Sequence, residues 1–163
     1  MVISATSWTL TPEDEQALRQ GMERLLQESG AHSALLVERG GQLLVQAGAP
    51  TTFDITTFAT LTAADFSAND QLARLIGETE FNSLFHQGEQ ESMYLADIAR
   101  RVILVILFDN RTTLGLVRLK VKQTVDELTK LFDQMFQRAQ SGEQKSEKNI
   151  LAGAEDEIDK LFQ

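Results

Sequence analysis

Apolar residues recur at helical spacing through Leu18, Met22, Leu25 and Leu26, and the run stops at Gly30. A start signal precedes it. Thr11 offers a hydroxyl for the N-cap, Pro12 suits the first helical position, and Glu13 and Asp14 sit where the helix dipole favours acids. The spacing therefore predicts an amphipathic helix with one buried face and a glycine C-cap. The period then changes. "HSALLVERGGQLLVQAG", residues 32–48, reads as two short apolar runs around Arg39-Gly40-Gly41, a tight turn joining antiparallel strands.

"FDITTFATLTAADFSANDQLARLIG" returns to helical character, with Asp54 as N-cap and Gly77 as the stop. Its large apolar positions, Phe58, Leu61, Leu72, Leu75 and Ile76, cluster at the two ends, while residues 62–68 carry mostly small side chains. Small residues let another backbone approach closely, so this stretch is either an internal packing seam or a surface where a partner docks. Three strand-like runs follow, "EFNSLFHQGE", "SMYLADIA" and "RVILVILF", broken at residues 88–91 and around Ala99-Arg100. The last run is apolar on both faces and belongs in the middle of a sheet covered on both sides.

The segment "LGLVRLKVKQTVDELTKLFDQMF" fits two periods. Val117, Leu119 and Val121 alternate with cations as in a strand, yet Leu114, Val117, Val121, Val125, Leu128, Leu131, Phe132 and Met135 make one helical stripe. Its length favours a helix, because strands rarely exceed ten residues. The expected order is α-β-β-α-β-β-β-α, an α+β sandwich around a five-stranded antiparallel sheet.

After this helix, residues 137–149 are polar and charged and include Ser141-Gly142, which predicts a flexible linker. Residues 150–163 then place Leu151, Ala154, Ile158, Leu161 and Phe162 on one stripe, a short amphipathic helix in a tail. The expected organisation is an N-terminal extension at 1–10, a folded domain at 11–136, the linker at 137–149 and the amphipathic segment at 150–163.

Composition narrows the chemistry. A net charge of −9 argues against nucleic-acid binding, which needs Lys and Arg to neutralise phosphates. Cations do gather at Arg111, Arg118, Lys120, Lys122 and Lys130, either as a solvated helix face or as a docking surface for an acidic patch. With no cysteine and two histidines, a thiolate metal site is impossible and a zinc site is not expected; no cofactor is expected either. Phosphate-binding glycine loops are missing from the sequence. The start "MVISATSWTL" lacks a signal-peptide pattern, and no apolar run approaches the roughly 20 residues of a membrane span, so a cytoplasmic protein without membrane contact is expected.

The stretches "LTAADFSANDQLARLIGETEFNSLFHQGEQESMYLADI" and "RVILVILFDNRTTLGLVRLKV" resemble the Roadblock family of small scaffold domains, from about Ala31 to Phe136. "FDNRTTLGLVRLK" carries the resemblance most specifically. The closing "EIDKLF" resembles the end of a bacterial branch of that family. The resemblance implies a homodimer, joined edge to edge through the third strand with the second helices side by side. It implies a Ras-like polarity GTPase as partner, one per dimer, whose GTP hydrolysis is stimulated and whose nucleotide exchange is influenced, without catalysis by the chain itself. Other polarity proteins are further expected partners, and concentration at a cell pole would follow.

On that basis the platform contacts are Ala63, Ala64, Ser67, Ala68 and Gln71, where related sequences carry Gly-Asn in place of Ala64-Asp65. Ile158, Leu161 and Phe162 are the expected contacts of the C-terminal segment, and Arg111, Arg118 and Lys122 the electrostatic ones. Two other classes remain open: a scaffold that binds a different partner without affecting hydrolysis, and an enzyme with a site the motifs do not reveal.

Overall fold

The computed structural model describes residues 8–162, with residues 143 and 144 described by backbone alone. Its elements follow the expected order: α1 (Pro12–Ser29), β1 (Ser33–Glu38), β2 (Leu43–Gly48), α2 (Ile55–Leu75), β3 (Ser83–Gln87), β4 (Glu91–Ile98), β5 (Val102–Asp109) and α3 (Leu114–Leu161). The strands form one antiparallel sheet in the order β2-β1-β5-β4-β3. β5 is thus central, and its alternation feeds two cores. Val102, Leu104, Ile106 and Phe108 point to one face with Ala34 and Leu36 of β1, under α1 and α3. Ile103 and Val105 point to the other with Leu35, Val37 and Leu95, under α2. Each such side chain, fully buried, contributes about 1.5–3 kcal/mol, which is why a strand apolar on both faces fits only here.

Local signals act as their chemistry requires. Thr11 and Asp14 form a reciprocal capping box at the start of α1, and Gly30 closes it in the left-handed conformation (φ 74°). Gly48 at the end of β2 has φ 89°, and a Cβ there would lie 2.3 Å from the His32 carbonyl oxygen, so only glycine fits. Trp8, within the expected N-terminal extension, packs edge-on against Phe132 and Phe136 of α3 at centroid distances of 5.9 and 5.4 Å. Residues 8–10 therefore belong to the domain, while residues 1–7 of that extension lie outside the described residues.

One expectation is corrected. Residues 137–149 are helical, because α3 runs unbroken from Leu114 to Leu161. The segment 137–149 is built mainly from Gln, Arg, Ala, Glu and Lys, which are strong helix formers, and its one glycine, Gly142, costs only about 1 kcal/mol. Extending a helix already nucleated on the domain adds a hydrogen bond for each residue fixed, whereas a new helix would need its own nucleus. The amphipathic C-terminal segment is accordingly the far end of α3, not a separate helix on a tether. Among the described residues no helix is long and apolar enough to cross a membrane.

The β4–β5 turn places two non-glycine residues, Ala99 (φ 53°) and Arg100 (φ 58°), in the left-handed region. Asp97 offsets part of that cost by accepting a hydrogen bond from the Arg100 backbone at 3.1 Å. Left-handed backbone costs an ordinary residue about 1–2 kcal/mol, so Arg100→Gly is predicted to stabilise the fold by about 0.5–1 kcal/mol after the added freedom of the unfolded chain. Thermal unfolding checks it: a rise of a few degrees in Tm is expected, and a fall would mean that the exposed Arg100–Glu80 pair outweighs the backbone relief.

Candidate functional site

α2 is unusual in which side chains it buries. Asp54 caps it by accepting from the Thr56 backbone at 3.2 Å. Toward the sheet it buries Ala59, Thr62, Ala63, Phe66, Asn69 and Ala73, with Ile55 and Phe58 partly buried against the same core, so Phe66 is its one fully buried large apolar side chain. Its leucines point away. Leu61, Leu72 and Leu75 are 63, 58 and 82 % exposed, and Ile76 just beyond the helix is 72 % exposed. At 3.6 residues per turn, Leu61, Ala64, Ala68, Leu72 and Leu75 fall on one stripe opposite the sheet. Of the five expected platform residues, Ala64, Ser67, Ala68 and Gln71 are exposed on this outer side. Ala63 is not: at 7 % exposure it is a core residue, one step round the helix from its neighbour.

Beside this stripe lies β3, an edge strand hydrogen-bonded only to β4. His86 of β3 pairs with Asp65 of α2, Nε2 to Oδ2 at 2.6 Å, tying the helix to the free edge. The outer face of α2 and the open edge of β3 thus form one continuous surface, crossed by a pair that Ala64-Asp65 helps to define. Sequence reasoning treated Leu61, Leu72, Leu75 and Ile76 only as apolar positions at the ends of the helix. The phase of the three leucines holds the missing signal, since they lie opposite Ala59, Phe66 and Ala73.

The expected cations divide into two places. Arg118 and Lys122 line a groove of about 480 Å³ between α3 and the β3–β4 side of the sheet, with Tyr94, Ala96, Val121 and Val125 among its apolar lining. Arg111 stands apart on the β5–α3 loop. Its Nε and Nη2 donate to the Asp109 carboxylate at 2.7–3.0 Å. Those side-chain bonds, with the Arg111 backbone N–H, hold the Asp109 carboxyl down at about 2. His32, Glu91 and Asp109 bring donor atoms within 4.8 Å of one another, the only group of metal-ligand type found among the described residues. Glu91 is already hydrogen-bonded to His32 at 2.8 Å and Asp109 is paired with Arg111, so the arrangement reads as a hydrogen-bonded pair beside a satisfied ion pair.

The far end of α3 leaves the domain. Ile150, Leu151, Ile158, Leu161 and Phe162 are all exposed. Counting at 3.6 residues per turn, their stripe is rotated by roughly 100° from the buried one formed by Val117, Val121, Leu128, Phe132 and Met135. It is therefore a separate apolar face and not a continuation of the core-facing one. Its neighbours Glu155, Asp156, Glu157 and Asp159 make it acidic.

With this geometry in hand, the comparisons are informative. The Roadblock/LC7 domain matches residues 20–108, and the chain belongs to that family. Within it, the chain is similar to MglB. The Myxococcus xanthus MglB structure is 44 % identical, covers 72 % of this chain and 95 % of that one, and superposes with a TM-score of 0.69. A gliding protein MglB from Thermus thermophilus is 32 % identical, covers 78 % of this chain and 97 % of that one, and gives 0.74. An uncharacterised protein of Methanocaldococcus jannaschii is 27 % identical over 103 residues, 63 % of this chain and 89 % of its own.

The Arg111–Asp109 pair yields a titration test. Because the folded-state carboxyl is depressed, its contribution is present above the ordinary value of 3.8 and is lost as pH falls through about 2. Arg111→Ala should move the Asp109 midpoint back toward 3.8, measured by carboxyl NMR titration. An unmoved midpoint would assign the depression to some other group.

Proposed function

We propose that this protein is a homodimeric regulator of a Ras-like small GTPase of the MglA type. It stimulates GTP hydrolysis without a catalytic site of its own, in cell polarity and gliding motility, acts in the cytoplasm and is concentrated at a cell pole. The observation that carries this reading is the outward stripe of α2, where leucines flank alanines beside an open strand edge. Apolar side chains that a helix could have buried against its own sheet are held at the surface instead, as a docking protein requires. The 44 % identity to an MglB over most of both chains supports the same partner class.

In the proposed dimer the β3 edges pair and the two α2 helices lie side by side, so that Ala64, Ser67, Ala68 and Gln71 of both copies build one platform. A GTPase seated across the two-fold axis covers both equivalent surfaces, and one GTPase binds per dimer. Activation proceeds by repositioning the GTPase's own catalytic residues. A donated arginine finger would raise the rate by about 10³–10⁵-fold, but the exposed candidate, Arg111, is engaged by Asp109 through three side-chain hydrogen bonds. It acts with Arg118 and Lys122 as docking charge. The acidic apolar end of α3, with Ile158, Leu161 and Phe162, reaches a second surface of the same GTPase and influences nucleotide exchange. Being helical already, it has less conformational entropy to lose on docking than a disordered tail. Other polarity proteins are further partners of the same surfaces.

Two outcomes test this. Ala68→Arg, on the exposed side of α2, should leave the fold and the dimeric mass intact and lower stimulation of GTP hydrolysis by at least tenfold. Stimulation that survives in a native dimer would place docking on another face, and binding without any acceleration by the wild type would make the protein a scaffold. Deleting residues 141–163 should leave thermal stability and dimerisation nearly unchanged while weakening GTPase binding several-fold in titrations with GTP-like and GDP states. Equal affinities and equal exchange rates would remove α3's end from the function.

A further inference from the structure

The buried face of α2 is nearly smooth. Alanines at 59, 63 and 73 offer no knobs to fix where the helix sits along the sheet; Ile55 and Phe58 pack against the core only at its first turn, and Phe66 is the one large apolar side chain fully buried beyond it. A second fixture is polar. Arg39, from the β1–β2 turn, reaches beneath α2 and donates from Nη1 to Asp70 Oδ2 at 2.6 Å. Its Nη2 and Nε donate to Asp97 Oδ1 of β4 at 2.5 and 3.2 Å. The guanidinium also lies 5.2 Å from the centroid of the Phe66 ring. On the backbone side, Arg39 N–H donates to the Arg101 carbonyl at 3.0 Å, and Asp97 holds the Arg100 N–H at 3.1 Å. One guanidinium therefore joins α2, the β1–β2 turn and the β4–β5 turn.

This network is poorly made as a source of stability. The side chains of Arg39, Asp70 and Asp97 are only 29, 13 and 14 % exposed, and one cation faces two carboxylates. Among the described residues, Asp70 Oδ1 and the neighbouring Asn69 Nδ2 have no hydrogen-bond partner. Charges withdrawn from water and incompletely paired contribute little net stability, and their best-attested use is to fix position and register. Burial works against the charge on Arg39, yet its bonds to Asp97 and Asp70 prevail and keep it firmly protonated.

We infer that Arg39, through Asp70, is a positioning residue: it fixes where α2 stands on the sheet and so where the outer stripe is presented to the partner. The inference rests on reading that stripe as the docking surface. Lysine cannot replace it, because an ammonium is a point charge and lacks the planar fork that spans two carboxylates.

Amide hydrogen exchange on the wild-type dimer and on Asp70→Ala, Asp70→Asn and Arg39→Lys tests it. Asp70→Ala removes only the helix side and leaves Arg39 on Asp97. Exchange over residues 66–75 should rise at least tenfold in Asp70→Ala and Arg39→Lys while residues 102–109 of β5 keep their protection, and Asp70→Asn, which retains an acceptor oxygen for Arg39, should recover part of the loss. Affinity for the GTP-loaded GTPase should fall about tenfold in parallel. Unchanged exchange in α2 overturns the inference, as does equal acceleration in β5, which would mark an ordinary stabilising contact, or a loosened α2 with undiminished affinity. The exchange arm needs no partner. A wild-type chain that binds no GTPase would refute the proposed function while the exchange data still decide whether the clamp holds α2.

Discussion

The constraint on which this structure turns is the orientation of α2. A 21-residue helix lies on a sheet through alanine, threonine, asparagine and Phe66, with Ile55 and Phe58 packed at its first turn, and turns Leu61, Leu72 and Leu75 to the outside. Exposing a leucine forgoes about 1.5–3 kcal/mol relative to burying it. Rotating the helix by half a turn would bury these leucines only by withdrawing Phe66, Ala59 and Ala73 from the sheet and undoing the polar pairs at Asp70 and Asp65, so specific contacts fix its face. Phe66 in its socket, Arg39 on Asp70 and His86 on Asp65 together do so.

The two sides of the sheet are consequently unequal. Under α1 and α3 the packing is dense with large side chains, from Leu18 and Met22 to Phe132, and Trp8 closes its end. Under α2 the core is smaller, bordered by partly buried apolar side chains such as Phe58, Leu84 and Met93 and by the Arg39–Asp70–Asp97 network. The central strand β5 supplies apolar side chains to both, which makes the larger core a rigid base on which the lighter α2 layer is held. A helix held this way can present an apolar outer stripe while the larger core lies on the opposite face of the sheet. The same division holds along α3, whose first part is bound into the larger core and whose last part carries an unburied apolar stripe on a different side of the helix.

Much of this was legible in the sequence, and for local reasons. Thr11-Pro12-Glu13-Asp14 and Gly30 bound α1, Asp54 caps α2, and the doubly apolar run 102–108 is the central strand. These signals act within a few residues of one another, so sequence displays them. The resemblance to Roadblock proteins likewise rested on contiguous motifs. What stayed hidden depends on phase or on distance. The face that α2 buries could be read only by asking which of two opposed stripes held Phe66. Arg39 meets Asp70 and Asp97, 31 and 58 residues away, and nothing local announces that pairing. Ala63 lies on the buried side of α2, which its small size alone does not reveal and its angle round the helix does. The linker at 137–149 was misread because polarity was taken for flexibility, when the residues concerned are good helix formers continuing a helix already begun.

The central claim is that the outward stripe of α2 is the surface with which this protein works. Covalent carbene footprinting of the protein, alone and with a GTP-loaded GTPase of the proposed class, tests it most directly, because the label reports accessibility of side chains without any substitution in the chain. The account predicts that labelling across residues 61–76 falls when the GTPase is added, while labelling of Leu116 and Leu119 on the outer side of α3 stays the same. Protection of Leu116 and Leu119 with residues 61–76 still fully labelled would contradict it.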